Sequence, residues 1–489
     1  MQQFTINNSP YSVRFYALLA MVASLCFTTS YAQEITTTVN DQQELSLTVY
    51  NRDLALIRDV RNVSLNKGMN RVAVREVSAQ IRPETAIITS LSHPDSLSLF
   101  EQNFDYDLLT PQQLLQKYVG KQVRVIKTHP TTGAEKEEVA TVLSANNGVV
   151  LKIGDRIETG APGRIVYDQV PSNLRDRPTL SVLVNSNVTK KHSIELSYLS
   201  GGLSWKADYV AKLDKTEKHL DLNGWVTLNN QSGASYHNAK LQLVAGDVNR
   251  VSQMHSKKHR SLERMQTMAA DAMPEMAEES LFEYHLYTLG HKTDVLQNQT
   301  KQVALLSASK IPVNKEFLLR GNQHYYYNRN GVIADKLKVG VYVEFENEKQ
   351  HGLGIALPKG IVRVYKNDSS GNAQFIGEDR VDHTPKDETI RLKLGDAFDV
   401  TASKKQTSYK KESAFGKYKH AASSSYEIEL HNAKDEDVVV KVLEPVPGDW
   451  KMIKSSLEHE KVNAHTAQWL VKVPAEKRVT LSYSVLVRY

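Results

Sequence analysis

Two histidines, His255 and His259, stand four residues apart in the stretch MHSKKHRSLERMQTMAADAMPEMAEES, and five of the chain's 9 methionines, Met254, Met265, Met268, Met273 and Met276, crowd around them. On a helix this spacing sets both imidazoles on one face, and thioethers combined with imidazole suit Cu(I). Met254, His255, His259, Met265 and Met268 are therefore the candidate metal ligands, and copper is the cofactor they would take. Against this, Lys257, Lys258 and Arg260 flank the pair, and their positive charge opposes a bound cation. Methionine also fills adaptable apolar contacts. The stretch reads first as an exposed, partly helical or disordered insertion at 251–280 that meets a partner, with no cofactor required.

Hydrolytic chemistry has two candidates. Gly202-Leu203-Ser204-Trp205-Lys206 begins like a nucleophile turn, but it lacks the closing glycine and the strand–turn–helix context that exposes such a serine. Asp379 with Asp382-His383 offers carboxylates beside an imidazole, a set more often found as solvated turns than as an acid–base pair. No phosphate loop, dinucleotide fingerprint or zinc-helix motif occurs. Non-catalytic function is the expectation, with an uncharacterised envelope hydrolase and a periplasmic copper handler as alternatives.

The elements that would position these groups are strands. Residues Glu44 to Val77 alternate apolar and polar side chains with turns at Asn51-Arg52-Asp53 and Lys67-Gly68, the period of half-buried strands. We expect a β-domain over 33–105. A small SH3- or Sm-like barrel insert follows over 106–165, opening on a helix capped by Thr110 and begun by Pro111. A β-sandwich spans 166–330, and a second, C-terminal one spans 331–489. The fold class is thus all-β, mainly antiparallel, with tandem sandwiches. Asn230, Asn347 and Asn432 each close a strand, and asparagine's ease in tight corners suggests one repeated device.

Lys404, Lys405, Lys410, Lys411, Lys417 and Lys419 cluster in KKQTSYKKESAFGKYKH. They read as a solvated edge, where lysine discourages strand addition, or as a contact for an anionic surface polysaccharide. A net charge of +6 over 489 residues is too weak to imply nucleic acid. The insert has basic residues Lys121, Arg124 and Lys127 but only Tyr118 as a stacking surface, which argues the same way.

Residues 1–32 read as a cleaved signal peptide. Arg14 precedes an apolar run from Phe15 to Phe27, and Ser30-Tyr31-Ala32 sets small residues where a signal peptidase cuts. Cleavage there removes Cys26, the only cysteine, and leaves no transmembrane helix in the mature chain. Periplasm or cell envelope is the expected location. Leu481, Tyr483, Val485, Val487 and Tyr489 alternate to the end of the chain, which suits either a last sandwich strand or the closing strand of an outer-membrane barrel.

Ile194 to Tyr209 is the most specific stretch. Tyr198, Gly201, Gly202, Trp205 and Tyr209, with Asn230 after them, form a motif whose glycines suit a bulge or tight bend within a β-layer. Together with Leu241 to Gly246, Phe282-Glu283-Tyr284, Glu444-Pro445-Val446-Pro447, Trp469 and Leu481-Ser482-Tyr483, this motif resembles the exported bacterial proteins related to mucoidy inhibitor A. Their C-terminal half is a domain of unknown function. The opening YNRDLALIRDVRNVSLNKG is similar to that family's N-terminal part. Many of its members carry a coiled coil where this chain has its barrel-like insert. The resemblance implies a β-rich exported protein and supplies no catalytic residues, so an envelope protein is the partner expected beside polysaccharide.

Overall fold

A computed structural model describes residues 34–489 apart from 172–173, 247, 250–275, 414–415 and 417. The described chain is all-β, mainly antiparallel, in two compact units. The first comprises residues up to Glu44 and Arg58–Tyr198, and the second Leu45–Ile57 and Leu199–Tyr489.

In the first unit, Ile35–Thr37, Gly68–Arg75, Thr179–Ser186 and Leu97–Asp105 form one sheet in that order. Lys190–Ser200 pairs Ile87–Ser90 in another. Val72, Val74, Val182 and Val184 from the first sheet and Val63, Ile88, Ile194 and Leu196 from the second line a shared interior space of about 10 Å³. That is the room of about one water, so the sandwich is filled. The ion pair that lines this space is satisfied: Arg61 donates from Nη2 to Asp59 Oδ2 at 2.7 Å and from Nη1 to the Thr37 and Arg75 carbonyls.

The insert folds on its own core. Thr110 caps the helix Pro111–Lys117 by accepting from Gln113 N at 3.1 Å, as its sequence dictates. Five antiparallel strands follow in the order 156–159, 150–153, 135–144, 122–128, 164–166. The end strands Arg156–Thr159 and Arg164–Val166 hold four and three residues and do not pair with each other, so this sheet stays open where a closed small barrel was expected. Tyr118 is buried in its core and donates to the Gln169 carbonyl at 2.6 Å. It offers no stacking platform.

In the second unit, His219–Asn230 and Leu203–Leu213 are central strands of a five-stranded sheet, with Gly360–Asn367 parallel to the latter. Tyr236–Ala245 pairs in parallel with the early segment Ser46–Tyr50. The last part of the expected insertion is strand, since Ala277–Leu281 pairs Tyr284–Thr288. A nine-stranded sheet takes the remainder, in the order 449–455, 478–488, 421–432, 389–412, 332–346, 314–320, 438–445, 466–473, 460–463. Trp469 and Tyr483, six places apart in that order, bring their rings to 4.9 Å, so the sheet folds over itself around one core. Register shifts along Val332–Glu346 mark the bend. No sheet closes into a barrel among the described residues. The last strand, Arg478–Arg488, is instead an interior strand with Leu481, Tyr483, Val485 and Val487 buried. No described helix is long and apolar enough to cross a membrane.

Candidate functional site

The strand Thr389–Glu412 lies between Val332–Glu346 and Ala421–Asn432, so its lysines are not on an edge. Alternation sorts them. Lys405 and Lys410 point outward to Glu427 and Glu412, whereas Lys404 shares the inward phase of Val400 and Ala402 and is 1% exposed. This corrects the solvated-edge reading for Lys404. Lys417 lies outside the described residues.

Opposite Lys404, in phase with Val440 and Val442, Val438–Pro445 points Glu444 inward at 0% exposure. Lys404 Nζ donates to Glu444 Oε2 at 2.7 Å and to the Tyr483 hydroxyl at 3.1 Å. Tyr326 donates to the same Oε2 at 2.8 Å, and its oxygen lies 2.8 Å from that of Tyr483. Rings complete the enclosure, with Tyr325 and Tyr426 each centred 4.8 Å from the ammonium position. Tyr426 stacks on Tyr483 at 5.2 Å and donates to the Tyr325 carbonyl at 2.7 Å. Glu444 Oε1 has no hydrogen-bond partner among the described residues. Gly321 makes room for this carboxyl group: a Cβ there would sit 2.3 Å from Oε2.

Burial dominates the electrostatics. It lowers the Lys404 pKa against the opposing pull of Glu444. It raises Tyr326 and Tyr483 well above the ordinary phenol, with Glu444 adding to both, and pushes Tyr426 up to about 12. In so dry a place desolvation works against the charged ammonium. Sequence reading missed this cluster because it took each lysine by type. Phase along the strand was the available signal.

The motif residues make packing and hydrogen-bond contacts. Tyr198 accepts from Ser78 N at 3.1 Å. Gly201-Gly202 is the corner at which the chain leaves the strand Lys190–Ser200 and enters Leu203–Leu213 in a different sheet, so it is not a bulge within one layer. Gly202 has φ +79° and donates to Asp53 Oδ1 at 2.6 Å. Trp205 is buried edge-on to Tyr287 at 6.5 Å, and Tyr209 donates to the Pro358 carbonyl at 2.7 Å. Residues 194–489 match the model of a family described as a domain of unknown function, DUF4139. The chain belongs to that family. No curated protein matches it.

Within the DUF4139 region the three asparagines are one device, as the sequence suggested. Asn230 donates to the Ala234 and Val295 carbonyls, Asn347 to those of Ile355 and Pro385, and Asn432 to those of Glu436 and Val473. Each amide oxygen also accepts a backbone N–H, from Ser232, Gly354 and Lys434 respectively. The hydrolase candidates are engaged locally. Asp379 accepts from Lys393 N and Arg380 N, His383 Nδ1 accepts from Lys359 N, and Ser204 sits within a strand opposite Asn229. Met254, His255, His259, Met265 and Met268 lie outside the described residues, as do 1–33.

Proposed function

We propose that this DUF4139 chain is an exported bacterial cell-envelope protein that works by binding another envelope protein and not by catalysing a reaction. The leader-like residues 1–32 and the resemblance to mucoidy inhibitor A-like proteins support export. The observation that carries binding is Phe100. It is the extra residue of a register shift in the end strand Leu97–Asp105, and it is 65% exposed. A bulge on an end strand blunts indiscriminate pairing and re-aims a side chain. Ile87, Leu91 and Leu99 stand exposed on the same strand–turn–strand segment. Apolar side chains offered this way suit a protein surface better than a polysaccharide.

The test is a photo-reactive amino acid at position 100, compared in living cells with one at the more exposed Phe398, which is 92% exposed. A discrete protein adduct from position 100 alone is expected, and it is lost on Ile87→Asp. Adducts from neither site, or equally from both, sink the reading. Osmotic release of a chain beginning at Gln33 is expected for export, and an intact Met1 in the cytoplasm would overturn it.

A further inference from the structure

We propose that Lys404 and Glu444 join covalently, as an intramolecular amide between Nζ and the side-chain carbonyl carbon Cδ, with loss of one water. The two groups are already in contact at 2.7 Å with side chains 0% and 1% exposed. They sit on Thr389–Glu412 and Val438–Pro445, three places apart in the sheet order, so the bond would staple the two faces of the folded-over sheet through its interior.

Proximity supplies the first requirement, because groups held at reacting distance replace an encounter that is slow in solution. The second is a neutral amine. Nζ has traded water for four tyrosine rings, and a desolvated lysine becomes a nucleophile by passing its proton to the neighbouring carboxylate. The third is a path for protons. Nζ donates to the Tyr483 hydroxyl, that oxygen lies 2.8 Å from the Tyr326 hydroxyl, and Tyr326 donates to Glu444 Oε2. All lie within the reach a proton transfer needs.

The step balances along this path. The neutral Nζ attacks Cδ of the protonated carboxyl group, forming the N–C bond. A proton leaves Nζ for Tyr483, Tyr483 passes one to Tyr326, and Tyr326 passes one to the departing oxygen, which leaves as water. Both phenols end as they began, and no oxidant or other reactant is consumed. Gly321 leaves the carboxyl group its space, and Glu444 Oε1, without a hydrogen-bond partner among the described residues, is free to remain as the amide oxygen.

Mass spectrometry of the intact, denatured full chain decides the matter. The expected mass is lower by one water than the determined N-terminus dictates, and digestion should yield one branched peptide containing both residues. K404R should restore the uncorrected mass. E444Q should lose ammonia instead of water and so converge on the mass of the cross-linked wild type. Y326F should accumulate the open form in freshly synthesised protein. A wild-type mass equal to that of the plain sequence, with Lys404 and Glu444 recovered on separate peptides, overturns the proposal whether or not any variant folds. Closure of Y326F at the wild-type rate overturns the relay.

Discussion

Tyr209 and Gly360 fit together with no room to spare: a Cβ on residue 360 would stand 2.9 Å from Cε2 of the tyrosine ring and 2.4 Å from the Ala207 carbonyl oxygen. Across the opposite strand, Tyr209 faces Gly224 in register, with ring atoms 3.2 Å from where its Cβ would be. A ring laid across bare glycine backbone on both sides is shielded and held in one orientation. That orientation aims its hydroxyl at the Pro358 carbonyl.

Gly360→Ala should therefore destabilise the chain by roughly 2–3 kcal/mol through overpacking against backbone that cannot move. Tyr209→Phe should cost only about 1–2 kcal/mol, the loss of one buried hydrogen bond. Urea unfolding followed by tryptophan fluorescence separates the two. A Gly360→Ala variant with the wild-type midpoint would show that the ring is not confined.

Gly321→Ala should be severe for another reason. Its methyl group would overlap the whole Glu444 carboxyl group, so the strand end must shift or the group must leave its tyrosine partners. A loss of roughly 3 kcal/mol is expected, with circular dichroism in the near ultraviolet reporting disturbed tyrosine packing.

The asparagine corners predict a shared penalty. Asn230→Ala, Asn347→Ala and Asn432→Ala each strand two or more carbonyls and a backbone N–H, and each should cost roughly 2–4 kcal/mol. Chemical denaturation of the three variants should show losses of similar size. If any one proved neutral, its corner would not depend on the side chain.

His192 predicts a pH dependence for the first unit. It is fully buried, and its Nδ1 lies 3.0 Å from Ser90 Oγ and its Nε2 3.4 Å from Ser186 Oγ. Burial lowers its pKa first, with the nearby His93 and Lys190 adding to the effect and the Val188 backbone opposing it. The unfolded chain, with a histidine near 6.5, then binds the proton more readily than the folded one. Stability should be level above about pH 6.5 and fall as the pH drops below it toward the folded pKa. The urea midpoint of His192→Gln should lose this part of its slope between about pH 7 and 5.

Strand identity was legible along most of this chain because alternation with period 2 is written into residues such as Leu481, Tyr483, Val485 and Val487. The asparagine corners were legible too, since three strands closed on the same residue. Lys404 was not, because a run of lysines suggests water, and only its shared phase with Val400 and Ala402 marks it as interior. Its partners come from loops and strands distant in sequence, Tyr326 and Glu444 being 118 residues apart. No local pattern encodes that meeting. Gly201-Gly202 suggested a bend, but nothing local says that the strands on its two sides enter different sheets.

The parallel pairing of Ser46–Tyr50 with Lys240–Val244 sets an order of events for the growing chain. Leu45–Ile57 belongs to the second unit yet lies outside the region 194–489 that defines the family match. Its partner strand is synthesised about 190 residues later. At ribosomal rates the first strand must wait roughly 10–40 s with one side open, its other neighbour in the sheet, Ala55–Leu65, following directly in the chain. A fragment beginning at residue 194 would inherit the converse problem, a sheet with an empty berth where Leu47 and Val49 belong.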